Sequence, residues 1–322
     1  MKAFVTGGGG FLGAAVVRKL LARGDDVVAL ARSHEAAAKL TRLGATPVRG
    51  GIADTSVLDA AVAGVDAVVH VAGVYRVGVK ESEHEEMFQT NVDGTMLVLD
   101  AAIAAGVPRI VHVSTISVLG NTRGRVADET YERADRNFLS YYEATKYFAH
   151  HIALARAASG APVVIAMPGT VYGPGDHSET GRQIELARRG KYRVRMFPEL
   201  GLTMSYVDDV AEGLLAVTDR GRARESYILG GDLSRLGIVL DKVAELNGHR
   251  KPRITLPRRV VRAMEPVGPV VGPLFGAAPN LHEMVRSSRD VTYWATSTKA
   301  EKELGYSHRP LDEGLRELFA AT

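Results

Sequence analysis

Residues 6–13 read Thr-Gly-Gly-Gly-Gly-Phe-Leu-Gly, and they stand between the short apolar run Ala3–Val5 and a stretch with helical periodicity. Within them Gly7, Gly10 and Gly13 have the spacing G-x-x-G-x-x-G, which predicts a turn between a first strand and a first helix. Glycines there let the backbone approach a pyrophosphate, and the helix N-terminus offers free N–H groups to the anion. Glycine clusters also form ordinary tight turns, but this position at the start of a strand–helix alternation favours a dinucleotide site.

The composition is that of an ordinary globular protein. The chain has 322 residues, a net charge of +3 and 46% hydrophobic residues, and it can bury a sizeable core. No basic stretch carries interleaved aromatic residues, so we expect no nucleic-acid partner. There is no cysteine, no room for a signal peptide before the first strand and no run of about 18 apolar residues, which together predict a cytoplasmic protein without a membrane span.

Short apolar strands alternate with helical stretches through the first half of the chain. Such repeated units predict an α/β fold with a Rossmann-type, doubly wound parallel sheet and ligands beyond the carboxyl ends of its strands. The predicted strands are Ala3–Thr6, Asp26–Ala31, Thr46–Arg49, Asp66–Val71, Arg109–Ser114 and Val163–Met167, and the predicted helices are Phe11–Arg23, His34–Leu43, Val57–Ala63, Glu83–Ala105 and Leu139–Ser159.

The pattern becomes irregular after Pro168, where prolines punctuate the chain. A helix at Tyr206–Val217 and a strand at Tyr227–Gly230 are expected to return to the sheet. We therefore predict a Rossmann domain at 1–167, completed by about 204–231, and a smaller, mainly C-terminal substrate-binding lobe formed by 168–203 and 232–322.

A tyrosine and a lysine four residues apart, Tyr142 and Lys146, share one face of a predicted helix. A nearby ammonium lowers the pKa of a phenol, so that tyrosine can exchange a proton near neutral pH, and lysine can also hold a ribose hydroxyl. Tyr141 competes for this role, but its partner four residues on is Thr145, so Tyr142 is the better candidate.

The predicted fifth strand ends in the hydroxyl residues Ser114 and Thr115. A hydroxyl at this edge of the sheet can donate to a substrate carbonyl oxygen. Serine and threonine also end strands as plain turn-formers, so both interpretations stay open on the sequence alone.

With these motifs the chain resembles the extended short-chain dehydrogenase/reductase (SDR) family, within the NAD-dependent epimerase/dehydratase superfamily. The resemblance implies Thr115 as the catalytic hydroxyl, Tyr142 as the acid/base and Lys146 as its pKa-lowering, ribose-holding partner. One departure is Met167-Pro168, where the family usually has Arg-Pro. The matching landmarks are Thr6–Gly13, His70–Gly73, Asn91–Thr95, Ser114–Ser117, Tyr142 with Lys146, Pro168–Pro174 and Tyr206–Val210.

The cofactor preference follows from the end of the second predicted strand. No acidic residue stands there to bind the ribose 2′-hydroxyl of NAD, whereas Arg32 can fork onto a 2′-phosphate and Ser33 can donate a hydrogen bond. Arg32 could also be a solvated loop residue, but the pattern favours NADP(H) over NAD(H). The candidate cofactor-binding residues are Gly7, Gly9, Gly10, Phe11, Leu12, Gly13, Arg32, Ser33, Ile52, Asp54, Val71, Ala72, Gly73, Asn91, Ser114, Tyr142, Lys146, Pro168, Thr170 and Val171.

The reaction class is narrowed by two positions. Ile116 follows the catalytic threonine where the resemblance would give sugar 4,6-dehydratases an acid, and Leu202 stands where many nucleotide-sugar enzymes have a diphosphate-binding arginine. Arg182, Arg193 or Arg195 could replace that arginine. We expect an NADP(H)-dependent carbonyl reductase or alcohol dehydrogenase acting on a small, rather apolar substrate, closest in character to dihydroflavonol reductase-like or hopanoid-associated sugar epimerase-like members. The alternatives are a redox-neutral sugar or nucleotide-sugar epimerase and a non-catalytic dinucleotide-binding sensor.

Weaker signals concern partners. The Ala-rich face of Phe148–Ala158 permits the homodimer that many family members form. We expect His150-His151 to be surface or packing residues rather than metal ligands. We expect no metal site, because His84-Glu85-Glu86 lacks a second histidine at the zinc-binding spacing. The basic stretch 249–262 is expected to be solvated. Apolar stretches between 260 and 275 suit an apolar substrate, and ordinary packing of the lobe explains them equally well.

Overall fold

A parallel sheet of seven strands forms the centre of the protein, with the order β3-β2-β1-β4-β5-β6-β10. The computed structural model describes residues 1–256 and 280–320. The strand order reverses between the first strand and the fourth, which is the switch point of a doubly wound fold and confirms the predicted fold class. The strands are β1 (Lys2–Thr6), β2 (Asp26–Ala31), β3 (Thr46–Arg49), β4 (Ala67–His70), β5 (Arg109–Val113), β6 (Val163–Pro168), β7 (Thr170–Tyr172), β8 (Val194–Arg195), β9 (Gly201–Tyr206), β10 (Ser226–Leu229), β11 (Asp232–Arg235) and β12 (Ile254–Thr255).

The helices cover both faces of this sheet. Across residues 1–256 and 280–320, no helix has both the length and the apolarity needed to cross a bilayer. The helices are α1 (Phe11–Ala22), α2 (His34–Leu43), α3 (Thr55–Val62), α4 (His84–Phe88), α5 (Gly94–Ala104), α6 (Tyr141–Ala158), α7 (Glu179–Arg188), α8 (Val207–Arg220), α9 (Leu236–Leu246), α10 (Leu281–Ser288), α11 (Thr298–Leu304) and α12 (Leu311–Ala320).

Side-chain caps explain where two helices begin differently from the prediction. Asp54 accepts the Val57 amide, so α3 starts two residues before the predicted Val57. Ser140 accepts the Glu143 amide, so α6 starts at Tyr141 rather than at Leu139. The long predicted helix at 83–105 is present as α4 and α5, joined by a π-helical turn at Gln89–Asp93.

Alternate residues of each central strand pack against opposite helix layers. Val5 on β1 faces the layer that contains α1 and α8, whereas Phe4 faces the layer that contains α3, α5 and α6. Both layers are apolar, and this is why the strand sequences show continuous rather than alternating hydrophobicity.

A third apolar cluster forms beyond β6. Strands β7, β9 and β11 make a three-stranded sheet, which packs with α7, α9 and α12 through Ile184, Leu202, Leu240 and Leu315. Helix α11 instead joins the central core through Ala300. The predicted division into a Rossmann domain and a lobe stays a prediction. The apolar stretches at 260–275 and the basic stretch beyond residue 256 lie outside the described residues.

Candidate active site

The glycine turn after β1 is packed too closely to accept side chains at two positions. Gly7 has φ +73°, and a Cβ atom there would lie 2.7 Å from the Ala72 backbone. A Cβ atom at Gly13 would lie 2.1 Å from the Gly7 carbonyl oxygen. Among the described residues, no side chain caps α1 at Gly10, so its first amides are free for an anion. The turn therefore fits a dinucleotide pyrophosphate.

The loop after β4 is held against this turn and against α6. Residues 71–73 begin it, and the Ala72 amide donates to Thr6 Oγ1 at 3.3 Å. Asn91, buried in the π-helical turn, accepts from the Val74 amide at 2.7 Å and donates to the Val74 carbonyl and to Thr145 Oγ1, each at 3.0 Å. One amide side chain thus joins the loop to the helix that carries Tyr142.

The two hydroxyls at the end of β5 have different partners. Ser114 Oγ is hydrogen-bonded to His150 Nδ1 at 2.9 Å, on the buried side of α6. Thr115 accepts from the Ser117 amide and donates to Ser117 Oγ, each at 3.2 Å. Its hydroxyl also lies beside the Tyr142 phenol, where it partly offsets the rise that burial causes in the pKa of that tyrosine. This geometry favours Thr115 as the hydroxyl that acts with Tyr142.

The two adjacent tyrosines of α6 also differ in their surroundings. The Tyr141 ring stacks on His84, with ring centroids 3.7 Å apart. The Tyr142 ring meets the half-exposed Tyr75 edge-on at 4.7 Å, and desolvation in the cleft raises the pKa of the Tyr142 phenol. The phenol of Tyr142 is therefore protonated at neutral pH in the cofactor-free protein.

Lys146 lies one turn further along α6 with its ammonium buried. Its Nζ atom donates to the Val113 carbonyl at 2.9 Å, at the carboxyl end of β5. Burial lowers the pKa of Lys146 to about 8, so this ammonium can release a proton close to neutral pH. The lowering of the Tyr142 pKa by Lys146 stays a prediction.

Three buried histidines surround Lys146. His70 is hydrogen-bonded to Thr6 at 2.7 Å, and burial, reinforced by the Lys146 charge, lowers its pKa to about 3. Burial lowers the pKa of His150 to about 3 and that of His112 well below its usual value. Within residues 1–256 and 280–320, neither ring nitrogen of His112 has a hydrogen-bond partner. Neutral imidazoles therefore line the interior beside Lys146.

Two cationic side chains follow β2 in the chain, Arg32 directly after the strand and Lys39 on helix α2. Arg32 has 79% of its side chain exposed, with its guanidinium 3.6 Å from the Glu86 carboxylate. Ser33 Oγ caps α2 by accepting a backbone amide, which leaves its hydroxyl hydrogen free to donate. Lys39 on α2 donates to the Gly9 carbonyl at 2.6 Å. Lys39 is not among the cofactor-binding residues predicted from the sequence. Its position on the predicted helix after Arg32 is the sequence feature that indicates a second cation near the cofactor.

The remaining predicted cofactor residues lie around the same edge of the sheet. Asp54 caps α3 and also accepts from Ser56 Oγ at 2.9 Å, so its carboxylate has a structural role. Ile52 packs on Gly94, where a Cβ atom would lie 2.9 Å from it. Phe11 and Leu12 begin α1 and are partly buried, Pro168 ends β6, and Thr170 and Val171 begin β7.

Comparison with known proteins identifies the class. Residues 3–230 match the model of the NAD dependent epimerase/dehydratase family, and the chain belongs to this family. The predicted resemblance to extended SDR enzymes is thereby confirmed, and the protein is an enzyme of the SDR family.

Three relatives illustrate the range of this class. The chain is 32% identical to "Sterol demethylase protein B" of Methylococcus capsulatus, over 82% of this chain and 80% of that protein. It is 33% identical to "4-hydroxy-2-methyl-3-oxo-4-farnesyl-3,4-dihydroquinoline-1-oxide ketoreductase" of Stigmatella aurantiaca, over 96% of this chain and 92% of that protein. It is 26% identical to a double mutant of DesIV, a dTDP-glucose 4,6-dehydratase from Streptomyces venezuelae solved with NAD and DAU bound, with a TM-score of 0.80 over 99% and 96% of the two chains.

Proposed function

We propose that this protein is an NADP(H)-dependent reductase or dehydrogenase that interconverts a carbonyl group and a secondary alcohol in a small, rather apolar substrate. The observation that carries the proposal is the arrangement at the carboxyl end of β5, where Lys146 Nζ donates to the Val113 carbonyl at 2.9 Å and the Thr115 hydroxyl lies beside the Tyr142 phenol. It joins a proton donor to an orienting hydroxyl at the sheet edge where the glycine turn lies. The ketoreductase relative supports the same chemistry.

The residues of the chain have separate tasks in this reaction. The nicotinamide, when bound, supplies or accepts the hydride. Tyr142 gives its phenolic proton to the substrate oxygen during reduction, and its raised pKa keeps that proton in place until then. Thr115 orients the oxygen. Lys146, whose pKa is about 8, restores the proton and holds the ribose.

The cofactor preference rests on the two cations near the glycine turn. Arg32 is exposed, pairs with Glu86 at 3.6 Å and can fork onto a 2′-phosphate, and Lys39 already contacts the Gly9 carbonyl at 2.6 Å. We propose that these side chains, with the other candidate residues named from the sequence, hold NADP(H). The DesIV relative was solved with NAD, so NAD(H) is the alternative to be tested directly.

Three observations weigh against a sugar nucleotide as substrate. Leu202 is 5% exposed and packs in the apolar cluster of β9, so the position that carries a diphosphate-binding arginine elsewhere faces a core here. Arg182 forms a bidentate pair with Glu179, and Arg195 forms one with Asp241. The half-exposed Tyr75 ring against Tyr142 offers an apolar surface instead. The sterol and farnesyl compounds in the relatives' names are consistent with an apolar substrate.

The experiment is a cofactor titration followed by a ketone panel. We expect NADPH to bind more tightly than NADH, and absorbance at the reduced-cofactor band to fall with a ketone in wild-type protein but not in Tyr142→Phe. Unchanged turnover in Tyr142→Phe would exclude Tyr142 as the acid. Cofactor retained through purification, with product formed and no net NADPH consumption, would indicate the epimerase. Binding without turnover across the panel would indicate the sensor.

We also propose a homodimer formed through α4, α5 and α6. These helices expose Phe88, Met96, Phe148 and Leu154, each by 36–43%. Large apolar side chains grouped on neighbouring helices are typical of an interface. Light scattering after size exclusion should give twice the mass of the chain, and Phe148→Asp should give a monomer. A monomeric wild-type protein would contradict the proposal.

A further inference from the structure

The N-terminus of the catalytic helix α6 is capped by a carboxylate from far along the chain. Tyr141 is the first residue of α6, and its backbone N–H donates to Glu283 Oε1 on α10 at 2.8 Å. Glu283 is 7% exposed. The cap side chain of α6, Ser140, accepts the Glu143 amide instead, so the local cap and the distant carboxylate satisfy different N–H groups.

The same carboxylate also holds the loop that follows β4. The Gly78 amide lies beside the Glu283 carboxylate, and Asn280 Nδ2 donates to Glu283 Oε2 at 3.4 Å. The Asn280 backbone amide in turn donates to the Gly78 carbonyl at 2.9 Å. Three segments that are distant in sequence therefore meet at Glu283. Burial raises the pKa of its carboxyl, and the hydrogen bond from the Tyr141 amide and the positive end of the α6 dipole oppose that rise.

A second contact from α10 reinforces the first. Arg286, one turn after Glu283, donates to Asn137 Oδ1 and to the Phe138 carbonyl, each at 3.0 Å. These residues belong to the loop that leads into α6. Helix α10 thus fixes both the loop before the catalytic helix and the first amide of that helix.

We propose that Glu283 is a positioning residue for Tyr142. Tyr142 directly follows the amide that Glu283 holds, so release of this amide frees the first turn of α6 and moves the phenol away from Thr115. Displacement of a reacting group by about 1 Å can cost about 100-fold in rate. This inference rests on the proposed role of Tyr142 as the acid. It implies that α10, which belongs to neither the glycine turn nor the Tyr-Lys motif, positions Tyr142.

The test removes the hydrogen bond from either side in the full-length protein. Glu283→Ala removes the acceptor, and Glu283→Gln keeps one acceptor oxygen without the charge. Relative to Tyr141→Ala, Tyr141→Pro removes the N–H and puts a ring methylene in its place. Proline is well accepted at the first position of a helix, and Ser140 already has the extended backbone (φ −145°, ψ 159°) that must precede it. Glu313→Gln, an exposed carboxylate in the first turn of α12, is the matched charge control.

We expect Glu283→Ala to lower kcat about 10- to 100-fold, with the NADPH Kd within about twofold of wild type. Glu283→Gln should have a kcat much closer to that of wild type. Tyr141→Pro should have a kcat about 10-fold lower than Tyr141→Ala. In the Tyr141→Pro background, Glu283→Ala should lower kcat little further. Hydrogen exchange of the peptide covering 140–147 should speed up in Glu283→Ala but not in Glu313→Gln. This second readout needs no substrate.

Wild-type kcat in Glu283→Ala, or unchanged exchange at 140–147, would overturn the inference. An equal loss of kcat and NADPH affinity in every Glu283 variant would also overturn it, because general disruption affects both. Failure of the proposed function has a different signature: Tyr142→Phe would then keep its activity. If Tyr142→Phe is inactive while Glu283→Ala is normal, only the positioning role is wrong.

Discussion

The Ser114 hydroxyl is hydrogen-bonded to His150 at 2.9 Å, and this contact separates the roles of two adjacent hydroxyl residues. Ser114 is directed into the protein beneath α6, whereas Thr115 meets the phenol of Tyr142. Neighbouring residues at the end of a strand point to opposite sides, so only one of them can face the cleft.

Replacement of Thr115 tests this division of roles. We expect Thr115→Val, which keeps the shape and loses the hydroxyl, to lower kcat about 100-fold because the substrate oxygen loses an orienting hydrogen bond. Ser114→Ala is the matched comparison, and its kcat should stay within about threefold of wild type because this hydroxyl bonds His150 and not the substrate oxygen. Steady-state kinetics with the best ketone substrate measure both, and a larger loss in Ser114→Ala would reverse the assignment.

Arg32 and Lys39 should set cofactor selectivity. Removal of either cation is expected to weaken NADPH binding about 10-fold or more, about 1.4 kcal/mol, and to change NADH binding less than about twofold. Fluorescence titration of Arg32→Ala and Lys39→Ala measures this. Arg42→Ala, in the last turn of the same helix, controls for the general loss of positive charge. Equal losses for NADPH and NADH would argue against recognition of a 2′-phosphate.

Asn91 should be a large contributor to stability. Asn91→Ala leaves the amide and carbonyl of Val74 and the Thr145 hydroxyl without this partner, so we expect a loss of about 2–3 kcal/mol in the free energy of unfolding. Urea denaturation measures it. Gln89→Ala lies in the same π-helical turn with an exposed side chain, and it should change stability by less than about 0.5 kcal/mol. Similar values for the two variants would contradict the bridging role.

The buried histidines should make the fold sensitive to acid. His70 and His150 have pKa values lowered to about 3, and the pKa of His112 is lowered as well, so the unfolded chain binds protons more readily once the pH falls below about 6.5. Above that pH they contribute no pH dependence. Between pH 6.5 and 3 each should reduce stability by about 1.4 kcal/mol per pH unit.

His112→Phe gives the sharpest test of this prediction. Neither ring nitrogen of His112 has a hydrogen-bond partner among the described residues, so replacement by an apolar ring breaks no hydrogen bond. The slope of unfolding free energy against pH, measured by urea denaturation between pH 6 and 4, should become shallower in this variant. The exposed His249→Phe serves as control. An unchanged slope in His112→Phe would mean that this imidazole is protonated in the folded protein.

Much of the fold follows from local patterns. The predicted bounds of β2, α2 and β3 agree with the structure. Helix α2 has a local signal for its start, because Ser33 caps it, and β2 is marked by its apolar run. Helix starts were missed where a cap stood a few residues from the apolar pattern, as at Asp54. The helical periodicity of apolar residues does not reveal the π-helical turn at Asn91, because this turn depends on hydrogen bonds to Val74 and Thr145.

The sequence by itself determined the class of enzyme, the glycine turn and the Tyr142–Lys146 pair, because these depend on residue type and on spacing within one turn or one helix. The tertiary structure decided which hydroxyl meets Tyr142, which lysine contacts Gly9, and that Glu283 holds the amide of Tyr141 across 142 positions of the chain. Those contacts join segments that are far apart in sequence, and no local pattern of residues indicates which of them will meet. They exist only because packing of the sheet and helices brings them within hydrogen-bond distance.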